Sequence, residues 1–164
     1  MSKKVSLQIG NGETLDFEDE AFDGGYSQHV TMNIKNRKDF FLEAYRVLKK
    51  GTFFAFSEHG LGPKGNPIFP LPWADTSEMS FLLSPESTIS LLKEIGFYDI
   101  QIIETSEKYI SGYKKMIDNK SKKDKPILGI HVIGGATMKQ RSINSMKCIN
   151  CLLYTSDAAD DLLC

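Results

Sequence analysis

Residues 22–57 read FDGGYSQHVTMNIKNRKDFFLEAYRVLKKGTFFAFS, and this stretch decides the fold. Phe22-Asp23-Gly24-Gly25-Tyr26-Ser27 is a short strand signal. Asn36 then stands at a helix start, and Phe40, Phe41, Ala44, Tyr45, Val47 and Leu48 share one helical face, with Gly51 as the left-handed stop. Thr52 to Ser57 is apolar and aromatic with little alternation, the pattern of a strand buried on both faces of a parallel sheet. Strand, helix and strand in this order make a crossover unit, so an α/β fold is expected.

Upstream of the unit, Val5, Leu7 and Ile9 alternate with polar residues and stop at Gly10-Asn11-Gly12, which reads as a strand ending in a turn. The acids that follow (Glu13, Asp16, Glu18, Asp19, Glu20, Asp23) lack a compact ligand spacing, so a solvated connection and no metal site is expected. Downstream, a Gly- and Pro-rich loop over 59–83 carries the single tryptophan, Trp73; so long a loop in a small domain is expected to be functional. Ser84-Pro85-Glu86 opens a helix with a cap, a proline in the first turn and an acid, and Ile89, Leu92 and Ile95 form its inner face as far as Gly96. A strand over 98–103 and a helix over 106–119 follow, the latter with Tyr109, Tyr113 and Met116 as a packing stripe. Residues 120–125 read as a lysine-rich solvated linker, 126–135 as helix or strand, and 138–150 as an amphipathic helix.

The 164 residues are 41% hydrophobic and 25% charged, with a formal net charge of -1. Nothing in that balance offers an electrostatic footprint for nucleic acid or an acidic membrane. No apolar run approaches the length of a membrane span, and the start Met-Ser-Lys-Lys-Val lacks the apolar segment of a signal peptide, so a cytoplasmic location is expected. Residues 151–164, which open CLLYTSDAADD, look like one reading frame of a sequencing-library transposase adapter, and the tail is set aside as non-native. With it go Cys151, Cys164 and three acids, which leaves the remainder slightly basic and turns Cys148-Ile-Asn-Cys151 into a junction artefact rather than a redox or zinc pair. The native domain is thus expected over 1–150.

The familiar catalytic signatures are missing: no Gly-x-Ser-x-Gly elbow, no phosphate-binding Gly-x-x-x-x-Gly-Lys-Ser/Thr loop and no His-Glu-x-x-His. Gly10 to Gly12 does not extend to a third glycine before a helix, so it is no dinucleotide fingerprint. Of His29, His59 and His131, none pairs with another at metal-ligand spacing. His29 and His59, however, each fall just past the carboxyl end of an expected strand, where open α/β sheets gather their ligand contacts.

The run Gly10-Asn-Gly-Glu-Thr-Leu-Asp-Phe-Glu-Asp-Glu-Ala-Phe-Asp23, followed by Tyr26-Ser27-Gln28-His29-Val30 and Asn33-Ile34, resembles the middle of a class I S-adenosylmethionine-dependent methyltransferase. Glu43-Ala-Tyr-Arg-Val-Leu-Lys-Lys-Gly51 continues the likeness as the family's helix-to-strand step, and the order and spacing of the three blocks are more specific than any one. The stretch from Gly62 to Phe97 is similar to small-molecule members related to sarcosine/dimethylglycine and quinone-ring methyltransferases. The resemblance implies a Rossmann-like class I methyltransferase fold, S-adenosyl-L-methionine as cofactor, and a small-molecule methyl acceptor as partner.

By position it also implies roles. Asn11 stands where the family usually has an aspartate that accepts from the adenine amino group, and its amide oxygen can still accept. Gly12 lets the backbone approach the adenine; Ser27, Gln28 and His29 line the methionine end of the cofactor, with Met32 packed nearby. Tyr26 and Trp73 are the candidate aromatic walls for a cationic sulfonium or amine, with loop packing the alternative for Trp73, and His59 is the candidate base. The chemistry is direct displacement at the sulfonium methyl, which needs positioning and electrostatics rather than a nucleophile triad.

The family's glycine-rich turn after its first strand, and the acid after its second strand, have no counterpart in these residues. The expectation is therefore an incomplete, internal part of the fold, lacking the first two strands, poorly stable, binding the cofactor weakly or not at all, and inactive by itself. Two other readings stand beside it: a non-catalytic Rossmann-like binding or regulatory module, and a nicotinamide oxidoreductase, which needs an upstream Gly-x-Gly-x-x-Gly.

Overall fold

A computed structural model describes residues 5–64, 66–118, 137–149 and 153–158. The elements are β1 (Phe22–Gln28), α1 (Arg37–Val47), β2 (Leu48–Leu61), α2 (Pro85–Ile95), β3 (Ile103–Glu104), α3 (Ser106–Asp118), α4 (Met138–Ile149) and β4 (Leu153–Ala158), with single 3-10 turns at Thr31–Asn33 and Ser77–Met79. The four strands form one mixed sheet in the order β1-β2-β4-β3. β1 and β2 are parallel, and β4 runs antiparallel to both its neighbours. The crossover unit expected over residues 22–57 is therefore present, with α1 as its helix.

The α1 face packs Phe41 and Ala44 against Leu48, Phe54, Phe56 and Leu92, with Phe40, Leu91, Ile95 and Phe97 at the margin. Phe41 is fully buried, and its ring meets Phe54 and Phe56 at centroid distances of 6.3 and 5.4 Å. α2 closes this core. Its start is as expected: the Ser84 hydroxyl accepts from the Ser87 N–H at 3.2 Å, and Pro85 occupies the first turn. Gly96 ends it at φ +122°, where a β-carbon would also press within 3.0 Å of the Tyr45 hydroxyl.

Four expectations need correction. Residues 5–9 form no strand: Val5, Leu7 and Ile9 are 70%, 93% and 101% exposed, and no described strand lies beside them to supply a hydrogen-bonded ladder. Gly51 does not stop α1. The helix turns directly into extended backbone at Leu48, and Gly51, at φ +71°, serves a bulge, because the register moves from Phe22↔Leu48 to Gly24↔Phe53. Asn36 does cap α1, but with its carbonyl, which accepts from Asp39 and Phe40; its side chain makes no cap bond. β2 is not buried on both faces throughout, since Phe53 is 46% exposed while Phe54 and Phe56 are buried.

The strand expected over 98–103 shrinks to Ile103–Glu104, whereas α3 and α4 lie where the periodicity puts them. β2 extends to Leu61 and so absorbs His59, shortening the following loop. The segment set aside as a tail contributes β4, whose residues 153–158 pair with β2 from Phe56↔Ala158 to Leu61↔Leu153. An open strand edge accepts any extended segment of β-forming composition, and Leu-Tyr-Thr is such a segment. The linker at 120–125, the ambiguous stretch 126–135, His131, and Cys151 and Cys164 lie outside the described residues.

Candidate functional site

The carboxyl ends of β1 and β2 carry the site. β1 runs along an open groove of about 550 Å³ whose lining includes Gly12, Gly25, Tyr26, Ser27, Gln28 and Val30. Gly12 belongs to a tight turn in which Thr14 N–H donates to the Asn11 carbonyl at 3.1 Å and Glu13 N–H to the Asn11 side-chain oxygen at 3.0 Å. The turn rests on Phe40, and a β-carbon on Gly12 would come within 2.9 Å of that ring. What holds this corner against α1 is the helix pair Glu43 and Arg46. Arg46 makes two hydrogen bonds to the Glu43 carboxylate, both 2.8 Å, and donates to the carbonyls of Leu15 and Phe17 and to Asp19; Leu15 N–H donates to Glu43 at 2.7 Å. Those bonds hold the Glu43 carboxyl at about 2, well below its ordinary range, with the Arg46 hydrogen bond the largest cause and the Leu15 N–H next.

Past Gln28 the chain turns at His29, a non-glycine residue at φ +54°, and the His29 N–H donates to the Ser57 carbonyl at 2.8 Å. The His29 ring stacks on His59 of β2 at 5.3 Å, and His59 stacks on Trp73 at 4.5 Å with planes 13° apart. The Tyr109 hydroxyl of α3 lies 2.6 Å from His29 Nε2. Trp73 is held in place from its other end, where Nε1–H donates to the Ser80 hydroxyl at 3.0 Å. His59 is only 4% exposed, and its Nδ1 has no partner among the described residues. Burial, reinforced by the charge of His29, pushes its pKa down to about 3, so the ring stays neutral in ordinary buffers and is a weak proton acceptor.

Beneath the stack sits a buried ion pair. Arg37 at the start of α1 and Glu58 of β2 are 4% and 3% exposed and meet at 2.8 Å. Arg37 also donates to the carbonyls of Thr31 (3.0 Å) and Phe81 (2.7 Å), while Glu58 accepts from the hydroxyls of Thr31 and Thr88. The pair thereby ties the turn after β1, α1, β2, α2 and the far end of the long loop together. α4 anchors the near end: Arg141 donates to the Leu71 carbonyl and Asn144 to that of Pro70, and the buried Cys148 thiol accepts from Ile68 N–H at 3.2 Å.

The structure thus gathers Gly12, Tyr26, Ser27 and Gln28 along one groove, and His29, His59 and Trp73 into a separate stack that begins at the residue after Gln28. Met32 is fully buried and does not line the groove, and Tyr26, 81% exposed, lies apart from the stack that holds Trp73. Tyr109 and the Arg37–Glu58 pair were not visible as site residues in the sequence: Tyr109 reads as one position of a packing stripe, and only folding brings α3 to the end of β1.

The parallel β1–α1–β2 crossover makes this a Rossmann-like α/β arrangement, with the groove running along β1 from Phe22 to Gln28. Residues 1–56 match the family described as methyltransferase domain. The chain is 34% identical over 101 residues to the biotin biosynthesis bifunctional protein of Teredinibacter turnerae, covering 58% of this chain and 17% of that protein. Among solved structures it superposes on a putative sarcosine dimethylglycine methyltransferase from Galdieria sulphuraria with a TM-score of 0.69 and 19% identity, over 92% of this chain and 56% of that one. It also superposes on the geranyl diphosphate C-methyltransferase of Streptomyces coelicolor with a TM-score of 0.64 and 17% identity, over 93% of this chain and 52% of that one. The chain therefore spans about a sixth of that curated relative and just over half of these two structures. No described helix is long and apolar enough to cross a membrane.

Proposed function

We propose that this chain is part of an S-adenosylmethionine-dependent methyltransferase that moves a methyl group to a small-molecule acceptor by direct displacement, with neither nucleic acid nor membrane as partner. In this reading residues 1–150 carry the methyltransferase part and 151–164 lie outside it, β4 filling the edge that β2 offers. The observation that carries the proposal is the groove along β1, and above all the Ser27 hydroxyl, buried at its wall with no hydrogen-bond partner among the described residues. A buried hydroxyl without a partner costs free energy, and a polar ligand group seated there would recover it. The residues present therefore fit the cofactor.

Ser27 and Gln28 would hold its methionine end, with His29 beyond them, while the Asn11–Gly12 turn would meet the adenine. Asn11 keeps acceptor capacity, because its amide oxygen has a second lone pair besides the one taken by Glu13. The cofactor, when bound, supplies the electrophilic methyl group. The chain's part is to fix the line of attack, exclude water with the Trp73 loop, and receive the proton that the acceptor releases. Tyr26 and Trp73 are the aromatic surfaces for a cationic group, and His59 serves best as the floor on which Trp73 and His29 stack.

Titration with S-adenosylhomocysteine, followed by backbone amide shifts, tests the proposal. The expected shifts cluster at Asn11–Gly12 and at 27–29, and Ser27→Ala weakens binding by about tenfold, the loss of roughly one hydrogen bond. Shifts scattered elsewhere, or none at millimolar ligand, would show that the groove is not a cofactor site.

A further inference from the structure

We propose that His29 and Tyr109 form the proton-accepting pair of this site, and that its acceptors attack through a nitrogen or oxygen that must shed a proton. The inference rests on the methyltransferase reading and goes beyond it in naming the pair and the acceptor class. Three features carry it. The first is backbone: His29 is held at φ +54°, a conformation disfavoured for a residue with a β-carbon, and is pinned there by its N–H to Ser57. Strained backbone of this kind persists where the surroundings over-determine it, and it concentrates at functional sites. The second is the 2.6 Å contact between Tyr109 Oη and His29 Nε2, with the rings edge to face at 5.7 Å. The third is place: His29 directly follows Ser27 and Gln28, which line the groove.

The neighbouring ring explains why His29, and not His59, takes the proton. Two imidazoles stacked at 5.3 Å do not both carry charge in a partly buried site, and of the two His59 is the more deeply buried. Among the described residues, the titratable groups that face His29 include His59 from β2 and Tyr109 from α3; Trp73 of the loop stacks on His59 without a titrating group. With the phenol as donor, the neutral His29 ring carries its hydrogen on Nδ1.

The step then balances. The acceptor's lone pair forms the new bond to the methyl carbon as the carbon–sulfur bond breaks, its electron pair remaining on sulfur. The acceptor's proton passes to Tyr109 Oη as the Tyr109 proton passes to His29 Nε2, so the positive charge that leaves the sulfonium ends on the imidazolium.

The test uses two readouts on the full chain. Long-range proton–nitrogen correlation spectra across a pH titration follow each imidazole. The expected result is that His29 protonates first while His59 remains neutral, and that Tyr109→Phe moves the His29 transition up by at least about half a pH unit, because it removes a donor that favours the neutral ring. An unmoved transition overturns the pair. If the variant does not fold, the Tyr109 Cζ shift in the unsubstituted chain decides instead: it inflects with His29 if the proton is shared, and stays flat if it is not. The second readout is methyl transfer from S-adenosylmethionine to sarcosine and to a hydroxyquinone. Tyr109→Phe is expected to lower kcat by about 100-fold with KM within a few-fold, the range of general acid–base catalysis. An unchanged kcat overturns the catalytic use of the pair. No transfer by the unsubstituted chain is the outcome expected of an incomplete fold, and the titration then decides the pair, while the S-adenosylhomocysteine titration decides the methyltransferase reading.

Discussion

Replacing Arg37 by methionine tests whether the buried Arg37–Glu58 pair is what holds the long loop over the site. The substitution keeps most of the side-chain volume but removes the charge. Glu58, 3% exposed, is then left as a buried carboxylate with only the hydroxyls of Thr31 and Thr88, and the carbonyls of Thr31 and Phe81 lose their donor. Breaking a buried pair from one side costs about 3–5 kcal/mol. For a domain of this size that is a fall in melting temperature of roughly 10 °C, and a large share of the ~5–15 kcal/mol typical of a whole domain. The double variant Arg37→Met, Glu58→Leu removes the stranded charge as well, so it is expected to recover more than half of the loss.

Urea unfolding read by circular dichroism supplies the stabilities for the double-mutant cycle. Trp73, the only tryptophan in the chain, supplies an independent report on the loop. Because Phe81 is bonded to Arg37 and Trp73 stacks on His59, loop release should change Trp73 emission at lower urea than the global transition. A loss below about 1 kcal/mol for the single variant, or a double variant no more stable than the single, would refute the assignment.

Glu43 titrates at about 2 in the folded chain against an ordinary 4.5. A depressed carboxylate contributes stability that is fully present above its unfolded pKa and is lost as pH falls toward the folded one, so unfolding between about pH 4.5 and 2 should show a slope that Glu43→Gln removes. After allowance for the partial exposure of Arg46, the slope should amount to about 1–2 kcal/mol. Ser84→Ala removes the cap of α2 and should cost about 1 kcal/mol in chemical denaturation, with Ser84→Gly costing less. Truncation after residue 150 removes β4 from between β2 and β3; sedimentation should then show self-association through the uncovered edge of β2, and a truncated chain that stays monomeric would mean the edge is protected in another way.

Much of the fold was legible because local chemistry and packing agree in the crossover unit. The face of Phe41 and Ala44 on α1, the aromatic run of β2, and the Ser84–Pro85 start of α2 each signal the same element that packing then uses. Legibility failed where the signal was local and the outcome was not. Val5, Leu7 and Ile9 alternate as a strand should, yet a strand exists only where a neighbour supplies its ladder. Gly51 is suited to a left-handed position, and the chain uses that freedom at the fourth residue of β2 rather than at the end of α1.

The site divides along the same line. Tyr26, Ser27 and Gln28 are legible from the sequence alone as neighbours on one strand, because consecutive residues at the end of a strand stay together in space. Only the tertiary structure brings Tyr109 to His29 across 80 positions, sets Trp73 on His59, and seats Glu58 against Arg37. It also decides against His59, which the sequence offers as the base, since burial is a property of the packed chain: His59, inside β2, loses its charge to desolvation.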